Sequence, residues 1–377
     1  MPKTGKNIYK RKDGRWEGRY AKSHTINGKM VYGSVYGKTC TEVKQKLLAI
    51  NVDENVLSAA VPEDSSITFD DIANLWLSEI YLTVKPSTYS RYTIVLESHI
   101  LPHFGTFKII DLQTSDINNF TREKMENGRA DGKGGLSAKS VRDILSIIKT
   151  ILDFGENNDI ISNGPRVTYP KNHQQSIRVL SRQEQSLLED VLTNDIDIHK
   201  LGILLCLYTG LRIGEICALR WQDISADFDV ISVRQTLQRI KNSDNQDKKT
   251  VIIIDVPKSP NSIRDIPIPK FISPYLRSFF SDNHFYFLAN ETMDFTEPRT
   301  MQNHFARSIK ATSIANANFH SLRHTFATRC IEAGVDTKSL SEMLGHSNVN
   351  ITLERYVHSS FDQKRAGINK LEQYNRI

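Results

Sequence analysis

Between residues 7 and 36, short β-prone pieces alternate with turn dipeptides: Asn7-Ile8-Tyr9, Asp13-Gly14, Trp16 to Tyr20, Asn27-Gly28 and Met30-Val31-Tyr32. Asp-Gly and Asn-Gly accept the left-handed backbone of tight hairpins, so this pattern predicts a three-stranded antiparallel sheet. The period then lengthens to that of a helix from about Thr41 to Val52, with Val43, Leu47 and Ile50 on one face to cover the sheet. After Ser58, Pro62, Ser65 and Ser66, which mark a linker, the apolar spacing is helical again. Thr68 caps a helix with Asp71 at its third position, and Ile72, Leu75, Trp76 and Ile80 form the stripe. Pro86 and Ser87 open a second helix carrying Tyr89, Tyr92 and Leu96. Thr114 caps a third with Ile117 and Phe120, and Ser137 begins a fourth with Val141, Leu145, Ile148 and Leu152 on one face. Four short helices in succession predict a compact bundle.

Pro165 and Pro170 mark a second linker, and from Ser181 the pattern is mixed α/β. An apolar helix over Lys200 to Tyr208 breaks at Thr209-Gly210, and a helix over Leu211 to Leu219 holds Arg212 in its first turn. β-prone segments follow at about 228–236, 250–256 and 264–268, and the remainder from about Thr300 is helical. One of these helices starts near His320. Another spans Thr337 to Leu344, with Thr337 as N-cap and Gly345 as its stop. Beyond it, Phe361, Ile368 and Leu371 suit a short amphipathic tail helix.

At 377 residues and 39% hydrophobic content the chain has material for two or three domains with real cores. Its formal charge of +6 is moderate but unevenly placed. Residues 1 to 50 hold twelve Lys or Arg, among them Lys10, Arg11, Arg15 and Arg19, against Asp13, Glu17 and Glu42. Such a segment suits a polyanion, and a sheet whose open face presents Tyr, Trp, Arg and Lys, with Trp16, Arg19 and Tyr20 among the candidates, suits a DNA groove. A solvated basic face is the bland alternative. Lys85, Arg91, Lys139, Arg142 and Lys149 are dispersed through the helical region, where phosphate contact and plain solvation explain them equally well. Cys40, Cys206, Cys217 and Cys330 form no CxxC pair, which fits a reducing, cytoplasmic setting. No apolar run reaches about 18 residues and no leader pattern is seen, so neither membrane insertion nor secretion is expected.

The chemistry-bearing residues follow in the order Arg212, Lys258, His320, Arg323, His346 and Tyr356. His320 and Arg323, three apart on a helix, share a face that can grip a phosphate. Two His, an Arg and a Tyr without Cys or carboxylate at ligand spacing make a poor metal site, so no metal or other cofactor is expected. Taken together, Thr209-Gly210-Leu211-Arg212-Ile213-Gly214-Glu215, Pro257-Lys258-Ser259 with Arg264-Asp265-Ile266-Pro267, His320-x-x-Arg323, Leu344-Gly345-His346 and Tyr356-x-His358 strongly resemble the tyrosine recombinase, or phage-integrase, family. The resemblance implies a multidomain chain most like the three-domain integrases of phages and conjugative transposons. Its parts would be a small N-terminal α+β arm-binding domain (three-stranded antiparallel sheet plus helix, 1–57), a linker (58–66) and an all-α four-helix core-binding domain (67–164). A second linker (165–177), a mixed α/β, mainly helical catalytic domain (178–358) and a C-terminal tail (359–377) that packs on a neighbouring protomer or on its own domain would complete it. It further implies double-stranded DNA with core and arm sites as substrate, a homotetramer on DNA, accessory DNA-bending or excision proteins, and a nucleoid-associated, cytoplasmic location.

The physical chemistry of those residues agrees. Planar guanidinium forks of Arg212 and Arg323 can hold the nonbridging oxygens of a phosphodiester in transfer, and His346 can add a third hydrogen bond. A neutral phenol with a reference pKa of about 10 is a weak nucleophile, so Tyr356 needs a proton acceptor, for which His320 is the candidate. Lys258 can protonate the leaving 5′ oxygen. Glu215, one turn below Arg212, can orient that guanidinium or simply pair along the helix. His346 and Tyr356 lie one residue further apart than is common in the family, but no other Tyr lies between His346 and Tyr374. Arg329 and Arg355 read as phosphate or solvent contacts, with solvent the favoured reading. A site-specific recombinase with a 3′-phosphotyrosyl intermediate leads the readings. A type IB topoisomerase-like enzyme and a catalytically silent DNA-binding protein of the same descent stand as the alternatives.

Overall fold

The structure, a computed structural model, describes residues 8–11, 16–24, 30–37, 43, 46, 67–172, 177–242, 249–256, 260–289, 294–356 and 365. They fall into two compact units, one drawn from Met1–Val84 and Tyr92–Asn172 and the other from Lys85–Arg91 and His173–Ile377. The expected linker 58–66, most of the helix from Thr41 to Val52 and all of the tail except Arg365 lie outside the described residues.

In the first unit, β1 (Ile8–Lys10), β2 (Trp16–His24) and β3 (Met30–Gly37) form an antiparallel sheet in that order. The β2–β3 register shifts between Ala21 and Ser23. Glu17 on β2 is 2% exposed, and Arg11 and Ser34 donate to its oxygens at 2.6 and 2.9 Å, which offsets the cost of burying a carboxylate. Helix α1 (Phe69–Ile80) starts at a reciprocal cap: Asp71 N–H donates to Thr68 Oγ1 at 3.3 Å and Thr68 N–H to Asp71 Oδ2 at 2.9 Å. Helix α2 (Pro86–Val95) runs through a wide π turn, Leu96–Ile100, into α3 (Leu101–Phe104). The extra residue in that turn lets both Leu96 and Ile100 reach the core.

Helix α4 (Thr114–Asn127) corrects one expectation. Its cap is Gln113, whose N–H is taken by Asp116 at 2.9 Å, and Thr114 is the first helical residue. The Thr114 hydroxyl is used elsewhere, accepting the Arg166 N–H at 3.0 Å. Helix α5 (Ala138–Asn157), capped by Ser137, buries Val141, Ile144, Leu145, Ile148, Ile151 and Leu152 against Phe69, Phe104 and Phe120.

The second unit is built on α7 (Ile198–Thr209), which follows α6 (Arg182–Thr193) and is buried on nearly every side. Around it the core gathers Leu188, Ile216, Ile231, Ile266, Phe305 and Leu322. The β-prone stretch near 228–236 is two strands, not one. β4 (Val230–Val233) pairs with β7 (Arg264–Pro267), whereas β5 (Thr236–Lys241) pairs with β6 (Thr250–Asp255). Facing Ile231 to Ile266 and Leu237 to Ile254 requires a change of partner between the strands, which alternation alone does not reveal. Four helices follow α8 (Ile213–Ala218) and α9 (Ser273–Phe279): α10 (Pro298–Lys310), α11 (Phe319–Glu332), α12 (Thr337–Leu344) and α13 (Val349–Tyr356). The cap of α12 is Asp336, not Thr337, its carboxylate accepting Ser339 N–H at 2.9 Å. No helix among the described residues is long and apolar enough to cross a membrane.

Candidate active site

Gly210 ends α7 in the left-handed region, at φ 66°, and a Cβ there would lie 2.5 Å from Phe326 Cδ1. The turn delivers Arg212 to the N-cap of α8, with extended backbone, and not to its first turn as the periodicity suggested. From there Arg212 Nη1 donates to Glu215 Oε1 at 2.7 Å and Nη2 to the Gly345 carbonyl at 3.2 Å. Glu215 Oε2 also accepts the Arg212 backbone N–H at 2.8 Å. The buried Glu215 has a second partner: Arg264 on β7 donates Nη1 and Nη2 to its two oxygens at 3.0 and 2.9 Å, and Nε to the Met343 carbonyl at 2.5 Å. Burial pushes the Glu215 carboxyl up, but the hydrogen bonds and charge of Arg264, with Arg212, outweigh it and hold the group at about 2. Sequence reading placed Arg264 in a motif without a role, because its partner is 49 residues away.

Helix α11 starts where Asn318 Oδ1 accepts Ser321 N–H at 3.1 Å, and this places His320, Arg323 and His324 within its first two turns. Arg323 is 2% exposed. Its Nη1 donates to the Gly210 carbonyl at 2.8 Å and its Nη2 to the Leu344 carbonyl at 2.6 Å, which lock the guanidinium plane. Burial, then the nearby Arg212 charge, push Arg323 down to about 9, so it remains cationic at neutral pH. Gly345, at φ 63°, ends α12 and delivers His346, whose Nδ1 lies 2.8 Å from the Thr352 hydroxyl. When that hydroxyl donates, the neutral ring carries its proton on Nε2 and presents a donor there. Burial, followed by the charges of Arg323 and Arg212, lowers His346 to about 3 and His320 to about 4.

Arg212, His320, Arg323 and His346 line one cavity of about 290 Å³ together with Ser262, Ser347 and Arg355. Of the two arginines read as phosphate or solvent contacts, Arg355 is exposed and part of this wall, whereas Arg329 is taken up by Gln185, Glu332 and the Leu180 carbonyl. Three guanidiniums and two neutral imidazoles around a small cavity suit the nonbridging oxygens of a phosphodiester.

Tyr356, the last residue of α13, is 7% exposed and sits among Phe326, Ala327, Leu340 and Leu344. Its hydroxyl lies 2.6 Å from His324 Nδ1. His320 was the expected partner; the structure instead pairs the phenol with the imidazole one turn further along α11, whose ring meets His320 edge-on at 4.5 Å. Burial raises the Tyr356 phenol above its usual 10, opposed by Arg323, Arg355 and Arg212. Lys258 lies outside the described residues. Among the described residues no group of three or more His, Cys, Asp and Glu side chains is placed to hold a metal ion.

The expected DNA contacts are spread more widely. Lys10 pairs with Trp16 across β1–β2, while Arg19 and Tyr20 on β2 face Ser34 and Gly33 of β3. Trp16 is half-buried, Arg11 pairs with Glu17, and Arg15 lies outside the described residues. Arg91 and Lys139 are exposed. Lys85 pairs with Asp255 at 2.9 Å within the second unit. Arg142 donates to the Pro170 carbonyl at 3.0 Å and lies 5.0 Å over the Tyr169 ring, so it is engaged within the protein.

Two family models match the chain: the phage integrase family over residues 178–363 and the phage integrase N-terminal SAM-like domain over 68–125. A "Tyrosine recombinase XerC-like" protein of Caldanaerobacter subterraneus subsp. tengcongensis is 25% identical over 374 residues, spanning 92% of each chain. The ICEBs1 integrase of Bacillus subtilis is 23% identical over 81% of this chain and 83% of its own. Among solved structures, the Tn1549 transposon integrase in complex with a circular intermediate DNA superposes with a TM-score of 0.64 at 23% identity, covering 81% of this chain and all of that one. A lambda integrase dimer bound to a COC′ core site gives 0.56 at 17% identity, over 95% and 96%. The fold is thus that of multidomain integrases, with a SAM-like helical domain ahead of a mostly helical catalytic domain. The chain belongs to the phage integrase family of tyrosine recombinases. It is a site-specific recombinase that cuts and religates DNA in the integration and excision of mobile elements.

Proposed function

We propose that the cavity holds one phosphodiester of an attachment core and that Tyr356 attacks its phosphorus. Arg212 and Arg323 grip the nonbridging oxygens, with Nε2–H of His346 as a further donor. The phenol oxygen forms the new bond to phosphorus, its proton passes to His320 once the phenol has entered the cavity, and the bond to the 5′ oxygen breaks. Lys258 supplies the proton that the leaving 5′ oxygen requires. The product is a 3′-phosphotyrosyl ester, which conserves the bond energy and lets a different 5′ hydroxyl reverse the step. Glu215 orients Arg212. The observation that carries this reading is the single cavity lined by Arg212, Arg323, His320 and His346, ending one residue short of a tyrosine.

Around this centre we assign residues 1–57 to arm-site binding through a three-stranded sheet, 67–164 to a four-helix core-binding domain and 178–358 to catalysis, with linkers 58–66 and 165–177. The tail 359–377 is assigned to contact between protomers. Lys10, Arg11, Arg15, Trp16, Arg19 and Tyr20 are the arm-site contacts, and Lys85, Arg91, Lys139 and Arg142 the core-site contacts; those already paired within the protein would exchange partners on DNA. A homotetramer working on double-stranded DNA in the cytoplasm, with accessory proteins setting direction, completes the proposal. The lambda integrase tetramer bound to a Holliday junction is a structural neighbour, with a TM-score of 0.53.

Covalent capture tests it. Wild type and Tyr356→Phe are incubated in chelator with a nicked duplex carrying a candidate core, so that the short 5′-hydroxyl fragment diffuses away. An adduct with wild type alone supports the assignment. An adduct that persists in Tyr356→Phe overturns the choice of nucleophile, and no adduct with either on DNA they bind favours a silent DNA-binding protein.

A further inference from the structure

His324 has no part in the chemistry described so far, yet the structure places it on the group that has to react. Its Nδ1 is 2.6 Å from the Tyr356 hydroxyl and the two rings lie 5.7 Å apart. Tyr356 is not among the residues that line the phosphate cavity, although Arg355, its neighbour in α13, is. Instead Tyr356 is held among Phe326, Ala327, Leu340 and Leu344, in surroundings that favour the neutral phenol. A buried hydroxyl in such a cluster needs a hydrogen-bond partner, and without one this side chain would have no defined resting position.

Resting on the assignment of Tyr356 as nucleophile, we propose that His324 is a positioning residue that stores the phenol outside the arginine-lined cavity, releasing it when a phosphodiester is bound. Three features of the geometry carry this. The hydrogen bond is short, it comes from α11, the helix that also supplies Arg323 and His320, and it joins residues 32 positions apart. The stored and attacking positions therefore differ by a local move at the end of α13, while the anion site stays in place. The charges of Arg355 and Arg323 act on His324 electrostatically, and both side chains line the cavity, so a phosphodiester entering beside those cations changes the field at the latch directly.

Single-turnover adduct formation at saturating nicked DNA reads the effect. His324→Ala removes a partner that exists only in the resting state, so the adduct should form about fivefold faster, the size expected for one hydrogen bond. His324→Asn, whose amide can occupy the Nδ1 position, should return the rate towards wild type. A slower His324→Ala would place the imidazole in the chemistry and overturn the latch, and an unchanged rate would reduce it to packing. Should His324→Ala fail to fold, the wild type still decides. The side-chain ¹⁵N resonance of His324 should shift on Tyr356→Phe without DNA, and shift the same way when DNA is added to wild type; no shift overturns the proposal. Loss of the nucleophile assignment has its own signature, an adduct that survives Tyr356→Phe.

Discussion

The two halves of the candidate site are held very differently. On one side Arg212 and Arg264 are bound to Glu215, and they and Arg323 to the carbonyls of Gly210, Met343, Leu344 and Gly345, by hydrogen bonds between 2.5 and 3.2 Å. On the other, the Tyr356 hydroxyl meets a single imidazole at the end of a helix. Rigid donors act best where charge develops in the transition state, because no reorganisation is then required during reaction. A nucleophile that must leave one partner for another is better held lightly. On the proposed mechanism, preorganisation in this site belongs to the anion grip and movement to the attacking group.

The largest effect should come from breaking the rigid half. Arg323→Ala is expected to slow adduct formation by about 10³-fold while DNA binding persists, and Arg323→Lys should not restore it, because an ammonium cannot replace a planar fork. Single-turnover rates beside a binding titration check both. Arg264→Ala tests the same half through stability. It leaves the buried Glu215 with Arg212 alone, a loss of about 3 kcal/mol measurable by urea denaturation, whereas the exposed Lys139→Ala should change little.

Acid should weaken the fold of the second unit. His320, His324 and His346 lie at about 4, 4 and 3, all below the usual 6.5, so the unfolded chain binds protons that the folded one refuses. Their contribution is fully present above pH 6.5 and is lost as pH falls through about 4. Melting temperatures at pH 7.5 and 5 check the sign, and bound DNA should reduce the difference because a phosphodiester favours imidazolium. The smallest effect is expected from Thr352→Val, which removes the Nδ1 partner of His346 but keeps the shape. The net worth of such a bond is about 1 kcal/mol, so adduct formation should slow only a few-fold.

Much of the site was legible because its signals are local. The break at Thr209-Gly210, the stop at Gly345 and the spacing of His320 from Arg323 are properties of short segments, and the structure brings all four cavity-lining residues named from them into one place. Cap positions were misread by one residue at Gln113 and Asp336, where an adjacent Thr competes for the same helix end, and the helix expected from Leu211 begins two residues later, after Arg212. Phosphate and solvent readings of Arg355 stayed open because a helix-end arginine looks alike in sequence whether it faces solvent or a cavity.

By itself the sequence determined the helical and β-prone segments, the order of Arg212, His320, Arg323, His346 and Tyr356, and through them the family. Only the tertiary structure decided that Glu215 is shared between Arg212 and Arg264, and that Tyr356 rests on His324 instead of His320. The physical reason is range. Helix caps, turns and apolar stripes act over a few residues and leave a periodic trace, whereas these pairings join positions 49 and 32 residues apart, whose distance is set by how the helices and strands between them pack.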